Sequence, residues 1–147
     1  MGFSVSGAVA VVLIGLLVSA ATLYPAVDRA TERRADAVEA RDERALERQN
    51  TAVSLVDATY NTSQETLTVT VTNTGASTLD VPAVDLLVDG EYAVLSAANR
   101  SVGGDTATEV WSPGENLTLT RGEPSAPERV FVVTGPGVAA AGAVEVV

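Results

Sequence analysis

Apolar positions divide the chain into three textures. Val5 to Leu23 is almost wholly apolar, interrupted only by hydroxyl and small residues such as Ser6, Ser19 and Thr22, and the first charged side chain is Asp28. About 20 such residues match the thickness of a bilayer core, so the run predicts a membrane-spanning helix within a segment 1–27. From Asp28 to Asn50 there is no Gly or Pro, and Ala, Arg and Glu dominate. These are good helix formers, and the apolar stripe of Val27, Val38 and Ala45 is thin. A helix polar nearly all round reads as a solvated stalk, about 35 Å long at 1.5 Å per residue. Pro25 lies where the two helices meet, a place for a kink or a restart.

From Thr51 onward the period changes. Thr66 to Thr72 alternates threonine with Leu67, Val69 and Val71, the period of two expected of a half-buried strand. Val84 to Val88, Asp89-Gly90, and Glu91 to Leu95 form a hairpin pattern. Asn116 to Thr120 alternates again, Arg129 to Thr134 is an apolar run suited to a central strand, and Ala143 to Val147 can close the sheet. About seven short strands without a helix between them predict an immunoglobulin-like antiparallel β-sandwich over 51–147. Trp111, Tyr60, Tyr92 and Phe131 are the expected large core residues. The fold class is mainly β, with a transmembrane helix and a stalk helix at the N-terminus.

Charge narrows the function. The chain has 147 residues, no His and no Cys, and a formal net charge of -10. All nine of its positive charges are arginine, because lysine is absent. An acidic surface repels phosphates, so nucleic acid is excluded as a partner. Lysine-free acidity fits a halophile, since concentrated salt screens self-repulsion within a few Å. Without His or Cys the commonest base and metal ligands are missing. No phosphate loop, nucleophile elbow or dinucleotide fingerprint occurs. The reading is no enzyme, no cofactor and no metal. Asp85, Asp89 and Glu91 gather at the hairpin, but their spacing matches no cation loop, and an acidic edge that discourages sheet pairing accounts for them.

Topology rests on opposing signals. No basic residue precedes the apolar run, which is longer than the core of a secretory signal, so an anchor that stays is expected. Arg29, Arg33 and Arg34 follow the run and alone would hold the bulk of the chain in the cytoplasm. Those arginines are interleaved with acids. Three glycosylation sequons begin at Asn61, Asn99 and Asn116, acceptors suited to an exported domain. The expected topology is a single-pass cell-membrane protein, N-terminus cytoplasmic and β-domain outside.

The short start "MGFSVSGA", the spanning run, the polar stalk, "LTVTVTNTG", "VDLLVDG" and "WSPGENLTL" occur in this order. Together they resemble the F subunit of the archaeal flagellum, or archaellum, of haloarchaeal type. The resemblance covers nearly the whole chain. It implies a stator subunit, anchored in the lipid bilayer, whose external sandwich binds the surface-layer protein and a sister stator subunit, the G protein, to support motility. The alternatives are a pilin- or archaellin-like filament subunit and a generic cell-surface β-sandwich protein. The chain departs from filament subunits in lacking a basic residue before a cleavable Gly. Sandwiches commonly bind through a sheet edge or face. The candidate partner-binding residues are therefore Thr66, Thr68 and Thr70 on one expected edge strand, and Asp89 and Glu91 on the hairpin. Self-pairing of an edge would give a homodimer.

Overall fold

Threonine alternation sets the centre of the β-region. In a computed structural model, the backbone of residues 3–147 is described, with all side chains except those of residues 3–6, 22, 23 and 26. The strand Thr66–Asn73 buries Leu67, Val69, Val71 and Asn73 while the threonines between them stay half-exposed. The chain separates into two compact units, Met1–Glu43 and Arg44–Val147.

One helix, α1, runs Phe3–Asn50, with Pro25 inside it. The helix continues through Pro25 without a restart. Val11, Leu13, Leu16 and Leu17 are each more than half exposed on this helix. Among the described residues, no helix is long and apolar enough to cross a membrane. The expected span Val5–Leu23 reaches beyond the described side chains at both ends. What is described, residues 7–21, is shorter than the roughly 20 residues a bilayer core requires.

Eleven short strands follow where about seven were expected. They are β1 Val53–Asn61, β2 Thr66–Asn73, β3 Leu79–Asp80, β4 Asp85–Val88, β5 Glu91–Ala93 and β6 Arg100–Val102. Then come β7 Val110–Trp111, β8 Asn116–Gly122, β9 Arg129–Val133, β10 Ala139–Ala143 and β11 Glu145–Val146. One sheet has the order β11-β1-β2-β8-β6, a second β10-β9-β4-β5, and β3 pairs with β7. Leu67, Val69, Val71, Leu117 and Leu119 from the first sheet meet Leu86, Val130 and Val132 from the second in one core. That is a two-sheet sandwich.

Several local expectations hold for visible physical reasons. The β4–β5 hairpin turns at Asp89-Gly90, both at positive φ (50° and 87°). This is the primed turn that matches strand twist and favours Asp-Gly. Arg129–Val133 is internal, flanked by β10 and β4. The chain end differs. Ala139–Ala143 pairs antiparallel with β9, whereas Glu145–Val146 pairs parallel with β1. The expected single last strand is thus divided between the two sheets.

The end of α1 belongs to the β unit. The Asn50 carbonyl accepts the amides of Ala76 at 2.8 Å and Ser77 at 3.2 Å, and the Ala52 carbonyl accepts those of Thr74 and Gly75 at 2.9 Å. Carbonyls left over at a helix end need such partners. Gly75 allows the approach, since a Cβ there would stand 2.5 Å from the Ala52 nitrogen and 2.6 Å from the Asn50 oxygen. Beside it, Asn73 donates to the carbonyls of Ser77 (2.8 Å) and Trp111 (3.1 Å) and accepts from the Gly75 amide. The Trp111 indole donates to the Glu115 carbonyl at 2.8 Å. Asn73 and Trp111 are both fully buried.

Candidate partner-binding faces

The two sheets present opposite chemistries to the outside. On β2 and β8, Thr68 stands opposite Thr120, Thr70 opposite Thr118, and Thr72 opposite Asn116. These residues form a hydroxyl face in which Thr72 donates to Asn116 Oδ1 at 2.6 Å. The expectation that Thr66, Thr68 and Thr70 lie on an edge strand is overturned. β2 is bonded on both sides, to β1 and β8. The three threonines line the middle of a sheet face.

The four-stranded sheet turns apolar side chains outward. Ala141, Phe131, Leu87 and Tyr92 stand side by side across β10, β9, β4 and β5. At 4.8 Å between strands the row is about 14 Å wide. Val133 lies beside Asp85 and Ala139 in the adjacent row. Tyr92 is 60% exposed and Val94 77% exposed. The expectation that Tyr92 and Phe131 belong to the core is therefore wrong. Alternation sends their neighbours Ala93, Val130 and Val132 inward and turns both rings outward. The Tyr92 hydroxyl meets Asp85 Oδ1 at 3.3 Å, and the Arg129 guanidinium sits 5.2 Å from the Phe131 ring centroid, within cation–π range.

The hairpin residues divide by role. Asp89 Oδ1 accepts the amides of Glu128 at 3.0 Å and Arg129 at 2.8 Å, so its carboxylate ties the turn to the next loop. Glu91 is exposed at the start of β5, an edge strand. Asp89 and Glu91 thus lie on a different sheet from the threonines. Among the described residues no group of three or more His, Cys, Asp or Glu is arranged to hold a metal.

Of the sequon asparagines, Asn61 Oδ1 accepts the amides of Ser63 and Gln64 at a turn, and Asn116 is the acceptor for Thr72. Asn99 is exposed at the end of a short 3-10 turn, Ala97–Asn99.

Sequence reasoning missed two features. The apolar outer face was legible in "EYAVL" and "RVFVV", where apolar residues occupy both faces of the strand; only their assignment to the core hid it. The other is a depression of about 360 Å³ lined by Val81, Pro82, Leu95, Arg100 and Thr108. There Arg100 Nη1 donates to the Val81 carbonyl at 2.7 Å while Nε is buried without a partner. Nothing in the sequence brings those residues together.

Among solved structures, the chain is similar to the archaellum periplasmic stator protein FlaG from Sulfolobus acidocaldarius. The identity is 18% and the TM-score 0.45, over 63% of this chain and 97% of that one. It is also similar to a chain of the archaellum periplasmic stator complex of FlaF and FlaG from the same organism. There the identity is 18% and the TM-score 0.42, over 61% and 85% of the two chains. A third is the ligand binding region of Serine-glutamate repeat protein A of Enterococcus faecium, at 14% identity and a TM-score of 0.36, over 67% and 97%. Scores of this size do not establish a shared fold. No curated protein matches the chain. The family model for archaeal-type flagellin matches residues 2–141, through the helix and into the last strands of the sandwich. This chain is a member of the archaeal-type flagellin family.

Proposed function

We propose that this family member is a non-enzymatic stator subunit of the archaellum, held in the membrane by the N-terminal apolar part of α1. Its sandwich, immunoglobulin-like in kind, works outside the cell and binds the surface-layer protein and a sister stator protein of the G type. The observation that carries the reading is the outer face of the β10-β9-β4-β5 sheet, where Leu87 and Phe131 are half-exposed and Tyr92 is exposed, with exposed Val94 just past the end of β5, in an otherwise acidic domain. Exposed apolar groups clustered on one face mark an interaction surface. The exposed apolar side chains of α1 between Val9 and Val18 support an apolar phase around that part of the helix. Glu91 borders the sheet face at the β5 edge, and the hydroxyl face of Thr66, Thr68 and Thr70 offers a second, more polar contact. Asn99, exposed at the end of its 3-10 turn, is the sequon asparagine best suited to carry a glycan. The acidic surface suits concentrated salt.

A filament-forming role is the second reading, favoured by the family to which the chain belongs. Deletion of the gene separates the two. A stator subunit leaves cells that assemble filaments and do not swim. Loss of the filaments themselves would establish the filament role, and unimpaired swimming would leave only a generic surface protein. Complementation with Tyr92→Arg and Val94→Arg, both at exposed positions, is expected to restore a folded protein without restoring swimming. Full swimming in that strain would remove the apolar face from the mechanism.

A further inference from the structure

Charges along the second half of α1 are sorted around the helix. Residues four apart stack on one face, and Asp28, Glu32 and Asp36 follow each other at that spacing, as do Arg29 and Arg33, and Glu39 and Glu43. Not one charged pair at this spacing between Asp28 and Arg48 is of opposite sign. Opposite signs meet only three apart, Arg29 with Glu32, Arg33 with Asp36 and Arg44 with Glu47, where the two sides border each other. A solitary solvated helix is stabilised by opposite charges four apart and destabilised by like ones. At that spacing this arrangement is the reverse. It gives one acidic side and one basic side.

Between the two sides runs a thin apolar seam. Val27 and Val38 are eleven residues apart, which places them within about 20° of each other around the axis. Each is more than half exposed, at 62% and 58%. Arg34 and Arg41 flank the seam on one side, and Asp28, Glu39 and Asp42 on the other, by the same rise and rotation. When two identical helices meet on such a seam in parallel, the left flank of one adjoins the right flank of the other. Basic then faces acidic along both sides. In the antiparallel pairing, like flanks adjoin and repel.

We infer that α1 pairs through the Val27–Val38 seam with the same helix of a second copy, parallel and in register. Opposite charges across the two flanks select the partner and its direction. The sorting forgoes every favourable pair four apart within one helix and is matched beside a helix of the same pattern, which identifies a second copy as the occupant. This pairing surface is separate from the sandwich faces and independent of the stator reading.

Disulfide cross-linking of the full chain tests it, because the protein has no native cysteine. In a parallel pair each seam position meets its own copy. Val27→Cys alone and Val38→Cys alone are both expected to form cross-linked dimer under mild oxidation in detergent. Ala40→Cys, on the far side of the helix, is expected to stay at background. Adding Glu39→Arg and Asp42→Arg to Val38→Cys should abolish the link. Mixing that variant with one carrying Arg34→Glu, Arg41→Glu and Val38→Cys should restore it as a heterodimer. Seam positions that link no better than Ala40→Cys, or a link that forms only between position 27 and position 38, would overturn the parallel pair. Failure of the mixed pair to recover would overturn the charge selection.

Discussion

Asn73 shows how one buried side chain holds a corner of the domain. Its amide reaches two carbonyls, one of them that of Trp111, and its oxygen takes the Gly75 amide. Leucine at this position fills a similar volume and satisfies none of them. A buried polar group left unpaired costs about 1–3 kcal/mol, and about 1 kcal/mol moves the melting temperature of a domain this size by roughly 4–8 °C. Asn73→Leu is therefore expected to lower the melting temperature by at least several degrees, measured by circular dichroism on the Arg44–Val147 unit. An unchanged midpoint would mean the network contributes nothing net. Residue roles were legible where alternation or turn chemistry set them, as at Leu67 and Asp89-Gly90, and size alone placed Trp111 and Tyr60 correctly in the core. They were not legible at Tyr92 and Phe131. Size and hydrophobicity alone place an aromatic ring in a core, and only strand register decides which face it occupies.

Among the elements, strand existence was easier to read than strand neighbours. β2 announced itself by period two, but its place between β1 and β8 depends on pairings distant in sequence. The short strands β3, β6 and β7 have too few residues to show a period. Ala139–Ala143 is built of alanine and glycine, poor strand formers, and takes its form from β9. For α1 the helical state was legible from composition, and the cost of its charge sorting was present in the spacing. Each like pair four apart costs roughly 0.2–0.5 kcal/mol in an isolated helix at low salt. A peptide spanning residues 27–50 is thus expected to be weakly helical in dilute buffer and to gain helicity as salt screens the repulsion. Helicity that falls with added salt would show attractive pairs to dominate, against the assigned arrangement.

At the scale of the molecule, the domain organisation follows from a shift in composition. The helical texture ends at Asn50 and the β texture begins at Thr51, although the last turn of α1 packs with the sandwich because its carbonyls need the loop after β2. From Thr51 onward, twelve Asp and Glu face three Arg, a balance of -9. Self-repulsion of that size loosens a small domain when it is unscreened. The Arg44–Val147 unit is expected to melt at a higher temperature in molar salt than in dilute buffer. Equal melting temperatures would show the acidic surface to be neutral for stability.

The stator reading is tested most directly by where the native protein resides. Filaments sheared from cells and the remaining membranes are each quantified for this chain by mass spectrometry, relative to the main filament subunit and to a known membrane protein. We expect the chain to stay with the membranes, to need detergent for release, and to be absent from the filaments at any stoichiometry resembling that of a subunit. Recovery in the sheared filaments in proportion to the main subunit would contradict the account and make it a filament protein.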